Sequence, residues 1–193
     1  MGNAPPPARR PVRADGRRNY DAILRVARES FQAKGSTASL EEIAAGAGVA
    51  VGTLYGHFAT RESLIEATTR DGLTALLAHG ERVAAGDDPL GALMDWTCEA
   101  VLFSSTFRGL AEVLAHGLRD EDSHWHAGCL AMERCGADLL RAAQDAGRVR
   151  GDLTPRELFN LISAAAWVRE ASPAAADDSG RLLELFVGGI ARP

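Results

Sequence analysis

Two short helical stretches near 40–47 and 51–58 are separated by little more than Gly48. Glycine admits the positive φ of a tight turn, so the two helices must cross at once instead of lying side by side as a long hairpin. Neither stretch can bury its apolar face alone. A third helix has to cover both. The residues before them supply it: from Asn19 to Lys34, Ile23, Leu24, Ala27 and Phe31 recur at three- and four-residue steps, and Gly35 is a natural stop. Ser39 before Leu40, Glu41 and Glu42 predicts a capping box, with the hydroxyl on a backbone N–H and Glu42 reaching back to the Ser39 amide. Leu40, Ile43, Ala44 and Ala47 then form one face. Helix, glycine turn and helix with one preceding helix is the three-helix form of a helix-turn-helix.

After Arg61 the period stays helical, and no β-type alternation is long enough to suggest a sheet. Turn signals divide the rest into helices near 61–84, 89–103, 106–118, 122–146, 154–170 and 179–190. Asp88-Pro89 opens one helix, and Thr154-Pro155-Arg156-Glu157 opens another with a cap, an N1 proline and a Glu at N3. The expected fold is all-α: an N-terminal three-helix domain at 19–66 and a larger helical domain at 67–193.

Charge separates the same two parts. Residues 1–61 hold nine Lys/Arg against five Asp/Glu, whereas 62–193 hold twelve against twenty-one. The basic end is the place to look for a polyanion. Its first eighteen residues, with Arg9, Arg10, Arg13, Arg17 and Arg18 among prolines and almost no apolar groups, read as a disordered arm, which on charge alone is either a tail that follows phosphates or enters a minor groove or a plain solvated leader.

The run Leu54-Tyr55-Gly56-His57-Phe58, preceded by Ile43-Ala44 and Ala47-Gly48-Val49 and followed by Arg61-Glu62-Ser63-Leu64, resembles the tetracycline-repressor (TetR) family of transcriptional regulators. The match spans about 19–66, and its elements occur together and in order. The resemblance implies a regulator that binds a palindromic double-stranded DNA operator as a homodimer. It also implies an effector-binding and dimerisation domain in the remaining helices, and release of repression when a small molecule binds there.

In a helix-turn-helix the last helix enters the major groove, its early residues nearest the base edges. That assigns Ala50, Val51, Gly52 and Thr53 to bases. Thr53 offers a hydroxyl or a methyl, Val51 suits a thymine methyl, and Gly52 permits close approach. Tyr55 and His57 match family positions that hydrogen-bond phosphates, and Arg61 keeps the charge of a family lysine that does so from the next helix. Leu54 and Phe58, large and apolar at core spacing, are expected to pack between helices. The family often carries Ser or Thr at Ala50, a polar or basic residue at Val51 and a bulky basic one at Gly56. With all three small or apolar here, the Arg-rich arm is expected to supply more of the electrostatic affinity.

In the helical domain the candidate lining of an effector pocket is Trp96, Ala100, Phe103, Phe107, Trp125, Met132 and Trp167, a set that suits a partly apolar ligand. Residues at that spacing also serve as plain core, and both readings stand. Thr97, Ser104, Glu133 and Asn160 are polar groups interleaved with that set. Leu158, Leu161, Ile162, Ala165 and Val168, followed by Leu182, Leu183, Phe186, Val187 and Ile190, give the last two helices apolar faces, and they resemble the pair that forms the symmetric dimer interface in the family.

Other chemistry is sparse. Three cysteines at 98, 129 and 135 lack CxxC spacing, so neither a disulfide framework nor a zinc ribbon is indicated, and a reducing cytoplasm fits. His124-Trp125-His126 with Cys129 places His126 and Cys129 on one helical face, but His124 points elsewhere, so the reading is a polar helix start and no metal site. No Gly-x-Ser-x-Gly elbow, phosphate-binding glycine loop or dinucleotide fingerprint occurs, so no cofactor and no catalytic residue is expected. The opposing hypothesis is a ligand-binding protein or enzyme built on the acidic helical domain. The longest uncharged apolar stretch, 158–168, is far short of the roughly 18 residues of a membrane span, and the chain starts without a hydrophobic signal core.

Overall fold

A computed structural model describes residues 12–119 and 125–171. Eight helices make up the described residues: α1 (Val12–Lys34), α2 (Leu40–Gly46), α3 (Val51–His57), α4 (Arg61–Ala84), α5 (Pro89–Ser104), α6 (Leu110–Arg119), α7 (His126–Asp145) and α8 (Pro155–Ala171). The all-α expectation holds. The first three pack on one another, α1 also lies on the start of α4, and α4, α5 and α7 form the centre of the larger unit, with α6 and α8 against α5 and α7.

Local chemistry explains most helix limits. Ser39 Oγ accepts from the Glu42 amide at 3.2 Å, which caps α2. The predicted capping box is only half formed, because the Glu42 carboxylate is drawn to the Lys34 ammonium while the Ser39 hydroxyl donates to Glu41 at 2.8 Å. An ion pair across the α1–α2 turn outcompetes a single bond to an exposed amide. Thr60 and Ser63 cap α4 reciprocally, at 3.1 and 3.2 Å, and Thr154 and Glu157 do the same for α8. Asp88 precedes Pro89 at the start of α5 but makes no side-chain cap. At the end of α7 the Arg148 amide donates to Ala143 O at 2.9 Å across Gly147, whose φ is +70°.

Two helices depart from the sequence reading. α1 begins at Val12, so Arg13, Arg17 and Arg18, which the sequence reading places in a disordered arm, lie on a helix, and Arg18 pairs with Asp15 one turn earlier. Helical ion pairing keeps the chain regular where the apolar pattern is silent. Residues 1–11 lie outside the described residues. α6 begins at Leu110 and not near 106, because Gly109 has φ +88°, a value no right-handed helix contains. The expected helix near 179–190 also lies outside the described residues.

Candidate DNA-binding face and effector cavity

α3 is anchored by its apolar side. Leu54 is fully buried in the core that also holds Ile23, Ala27, Phe31, Ile43 and Ala44, and Phe58 is buried just after α3. Burying a leucine side chain contributes about 1.5–3 kcal/mol, which fixes the rotation of a helix too short to be stable alone. The opposite side is therefore turned out: Ala50, Gly52, Tyr55 and Gly56 are exposed, and Val51, Thr53 and His57 are half-buried. A Cβ on Gly52 or Gly56 would meet nothing within 4 Å. Both glycines leave open space over the face.

The seven residues assigned to DNA thus fall into three groups. Ala50, Gly52 and Tyr55 project freely, Tyr55 with 45% of its surface exposed. Val51, Thr53 and His57 sit at the edge, and Val51 also packs on the core. The His57 ring is held edge-on by Tyr20 of α1 at 6.0 Å between centroids, while Tyr20 lies 5.1 Å from Phe58. Sequence reasoning missed Tyr20, which follows Asn19 in an otherwise polar stretch. Arg61 has a job inside the fold, since its Nη1 donates to Ser36 O at 3.0 Å and Ala38 O at 2.5 Å. It holds the α1–α2 turn against the start of α4, and its other nitrogens are what remain for a phosphate.

The three-helix unit is fastened to the larger one at two places. Arg28 on α1 donates through Nε to Thr68 O at 3.1 Å and through Nη2 to Asp71 at 3.0 Å on α4. The turn after α1 docks on the α5–α6 loop: the Ser36 amide donates to Arg108 O at 2.8 Å, and Phe31 stacks on Phe107 at 5.4 Å. The Gly109 amide in that loop donates to Glu170 Oε2 of α8 at 2.8 Å. No sequence pattern flagged this joint, because its partners are far apart in the chain.

The predicted pocket residues behave as core, with one exception. Trp96, Ala100, Phe103, Phe107, Trp125 and Met132 are buried, whereas Trp167 is 65% exposed on α8. A cavity of about 440 Å³ does open between α4, α5 and α7, but mostly small residues line it, Gly80, Ala84, Ala92, Ala131 and Cys135, together with Leu77, Leu139 and the charged Glu81, Arg134 and Asp138. None of the seven residues assigned to the pocket lines this cavity. Phe103 instead borders a second hollow of about 520 Å³ with Gly72, His79, Arg82 and Leu102. The physical reason is size: large side chains fill space, and a cavity is left where residues are small. Trp96 itself slots between two glycines, since a Cβ on Gly80 of α4 would lie 3.0 Å from Cδ1, and one on Gly136 of α7 2.8 Å from Cζ3. Of the interleaved polar groups, Thr97 and Ser104 are buried and Asn160 is exposed.

Cys129 Sγ donates to Leu114 O at 3.2 Å in the core, and burial, with a smaller contribution from Glu133, pushes its thiol up to about 12. It is a protonated core thiol. Burial also raises Cys98 and Cys135. Among the described residues no three His, Cys, Asp or Glu side chains converge on a metal position, and no helix is long and apolar enough to cross a membrane. His124 lies outside the described residues.

Comparison with known proteins supports the geometry. Residues 23–68 match the family described as bacterial regulatory proteins, tetR family, and residues 88–192 match the transcriptional regulator SbtR-like C-terminal domain. The chain is 29% identical over 171 residues to the HTH-type transcriptional repressor KstR2 of Rhodococcus jostii, covering 85% of this chain and 83% of that protein. It is also 30% identical to a TetR transcriptional regulator of Streptomyces coelicolor, with a TM-score of 0.61 over 89% of this chain and 97% of that one. The transcriptional regulator FadR of Bacillus subtilis, solved in complex with stearoyl-CoA, shares the fold at 20% identity and a TM-score of 0.61, covering 89% of this chain and 99% of that one. The helix-turn-helix with its outward α3, joined to a matching helical C-terminal domain, makes this chain a member of the TetR family of transcriptional regulators.

Proposed function

We propose that the protein is a homodimeric repressor that binds a palindromic operator through α3 and lets go when a small molecule occupies its C-terminal domain. The observation that carries this reading is the outward face of α3, where Ala50, Gly52, Tyr55 and Gly56 stand exposed on a helix whose rotation Leu54 and Phe58 fix. Val51, Thr53 and His57 flank that face, and Arg61 contributes its remaining donors at one end. The basic excess of residues 1–61 supports attraction to phosphates. KstR2 is a repressor, which supports the repressor reading, and FadR was solved with stearoyl-CoA bound, which supports a helical domain that answers to a ligand.

For the dimer, α8 turns Leu158, Phe159, Ile162 and Ala166 into its own core, so Leu158 and Ile162 are not free to meet a partner as the sequence pattern had them. Asn160, Ala164 and Trp167 form the exposed side of α8, and Trp167 is the anchor we assign to the partner copy. Release follows from population shift: a ligand that fits better when the two helix-turn-helix units are misaligned weakens DNA binding by its differential affinity. The joint from Glu170 through Gly109 and Arg108 to Ser36 supports transmission of that shift.

The test is a mobility shift with the purified protein and DNA upstream of its own and adjacent genes, at two salt concentrations. A salt-sensitive complex that survives competitor DNA and is lost in a Tyr55→Ala/His57→Ala variant is expected. No complex with those fragments or with a random genomic pool would overturn the reading.

A further inference from the structure

His57 is the last residue of α3. On that helix Leu54, one turn earlier, is turned into the core, and Gly56 offers no side chain, so the hold on the imidazole comes from another helix. Among the described residues no hydrogen bond or ion pair ties down its ring nitrogens. Its ring contacts are Tyr20 of α1, at 6.0 Å with the planes 71° apart, and the adjacent Phe58 at 6.3 Å. The first is the edge-to-face arrangement that aromatic rings prefer, the positive edge of one on the negative face of the other. Tyr20 is itself fixed. It lies three residues before Ile23, whose burial with Ala27 and Phe31 sets the rotation of α1, so it carries the apolar stripe one turn further towards the N-terminus. Its ring is half-buried against the core and lies 5.1 Å from Phe58, tilted by 30°. One ring therefore rests on the core and reaches His57.

We propose that Tyr20 is a positioning residue for DNA binding: its ring holds the His57 imidazole in the orientation that meets a phosphate. The assignment rests on the reading of His57 as a DNA contact and adds α1 to the elements that prepare the interface. A histidine left loose at a helix end samples several rotamers, and freezing one of them at the moment of binding costs affinity. A ring that Tyr20 has already ordered gave up that freedom when the chain folded. The hold uses ring faces and edges alone, so the imidazole keeps a nitrogen to offer to a phosphate oxygen. The Tyr20 hydroxyl has no part in it. Phenylalanine would serve in its place, and leucine would not.

Binding of the full-length protein is read by fluorescence anisotropy with a labelled DNA duplex of random sequence, about 30 base pairs long, at low salt, because a phosphate contact does not depend on base sequence. Tyr20→Leu, which keeps an apolar side chain on Phe58 but no ring, weakens binding about fivefold, the worth of one pre-ordered side chain. Tyr20→Phe restores the affinity that Tyr20→Leu loses. In a His57→Ala background Tyr20→Leu has no further effect, since the residue through which it acts is gone. A residue that merely supported the fold would cost the same in both backgrounds, and one whose hydroxyl touched DNA would not be rescued by phenylalanine; either result would overturn the assignment. The free protein supplies a readout without DNA: a nuclear Overhauser effect between the Tyr20 and His57 ring protons, with the His57 signal identified by its loss in His57→Ala. Its absence from the wild type would also overturn the assignment, and it decides alone should Tyr20→Leu not fold. A wild type that bound no DNA would sink the regulator reading together with this assignment, whereas DNA binding without coupling between the two positions would sink this assignment alone.

Discussion

The Ser36 amide donates to the Arg108 carbonyl at 2.8 Å, and this bond links the turn after α1 to the loop before α6. The approach is close enough that neither side has room for a Cβ: one on Gly35 would sit 2.7 Å from Arg108 O, and one on Gly109 would sit 2.3 Å from Ser36 Oγ. Two glycines with φ of +78° and +88° therefore face each other across the boundary between the two parts of the chain.

Gly35→Ala tests that joint. Its left-handed backbone and the clash with a backbone oxygen together cost about 1–3 kcal/mol. Gly147 has a similar φ of +70° but nothing within 4 Å of its Cβ position, so Gly147→Ala carries the conformational cost alone, about 1–2 kcal/mol. Urea denaturation of both variants should place Gly35→Ala clearly lower; equal midpoints would mean that the docked turn moves aside freely.

Gly52 and Gly56 lie inside α3 with open space around them. Replacing either by Ala should stabilise the short helix by about 0.5–1 kcal/mol. Gly52→Ala should nevertheless weaken operator binding, because Gly52 is assigned to the base edges. Thermal melts paired with a mobility shift separate the two effects, and a stabilised Gly52→Ala protein with unchanged affinity would remove Gly52 from the interface.

Tyr55→Ala removes an exposed phenol and should leave stability within about 0.5 kcal/mol. Operator affinity should fall about tenfold, one hydrogen bond to phosphate being worth roughly that much. The salt dependence should stay the same, since a neutral phenol displaces no counterion. A changed slope of log K against log salt would mean that Tyr55 acts by placing a charged neighbour.

Glu157 accepts from the Thr154 amide at 2.8 Å and from its hydroxyl at 2.7 Å, and these bonds lower its carboxyl below the usual 4.5. A depressed folded pKa gives stability that is present above the unfolded pKa and lost as pH falls through the folded one. The melting temperature of Glu157→Gln should therefore lie below that of the wild type at pH 6, and the gap should close as pH drops below about 4. A gap that is constant with pH would show that the cap acts through its shape and not its charge.

Much of this protein was legible from local sequence. The bounds 61–84 of α4, the stop at Gly35, the cap at Thr154 and the burial of Leu54 and Phe58 all follow from interactions within a few residues, where periodicity and capping speak directly. The same locality identified the helix-turn-helix and with it the face that Tyr55 occupies. Tertiary structure decided the rest. Periodicity marks Trp96, Phe107 and Met132 as apolar-facing, but it cannot say whether a neighbouring helix fills the space before them. Gly80 and Gly136, on helices distant in sequence, make the slot for Trp96, and the alanines beside them leave the cavity unfilled. Arg61 likewise carries a recognisable charge in sequence, yet only the meeting of α4 with the α1–α2 turn commits one of its nitrogens to two carbonyls. Helix limits are set by short-range bonding, whereas cavities and joints arise from complementary shape between distant segments, which no single stretch of chain encodes.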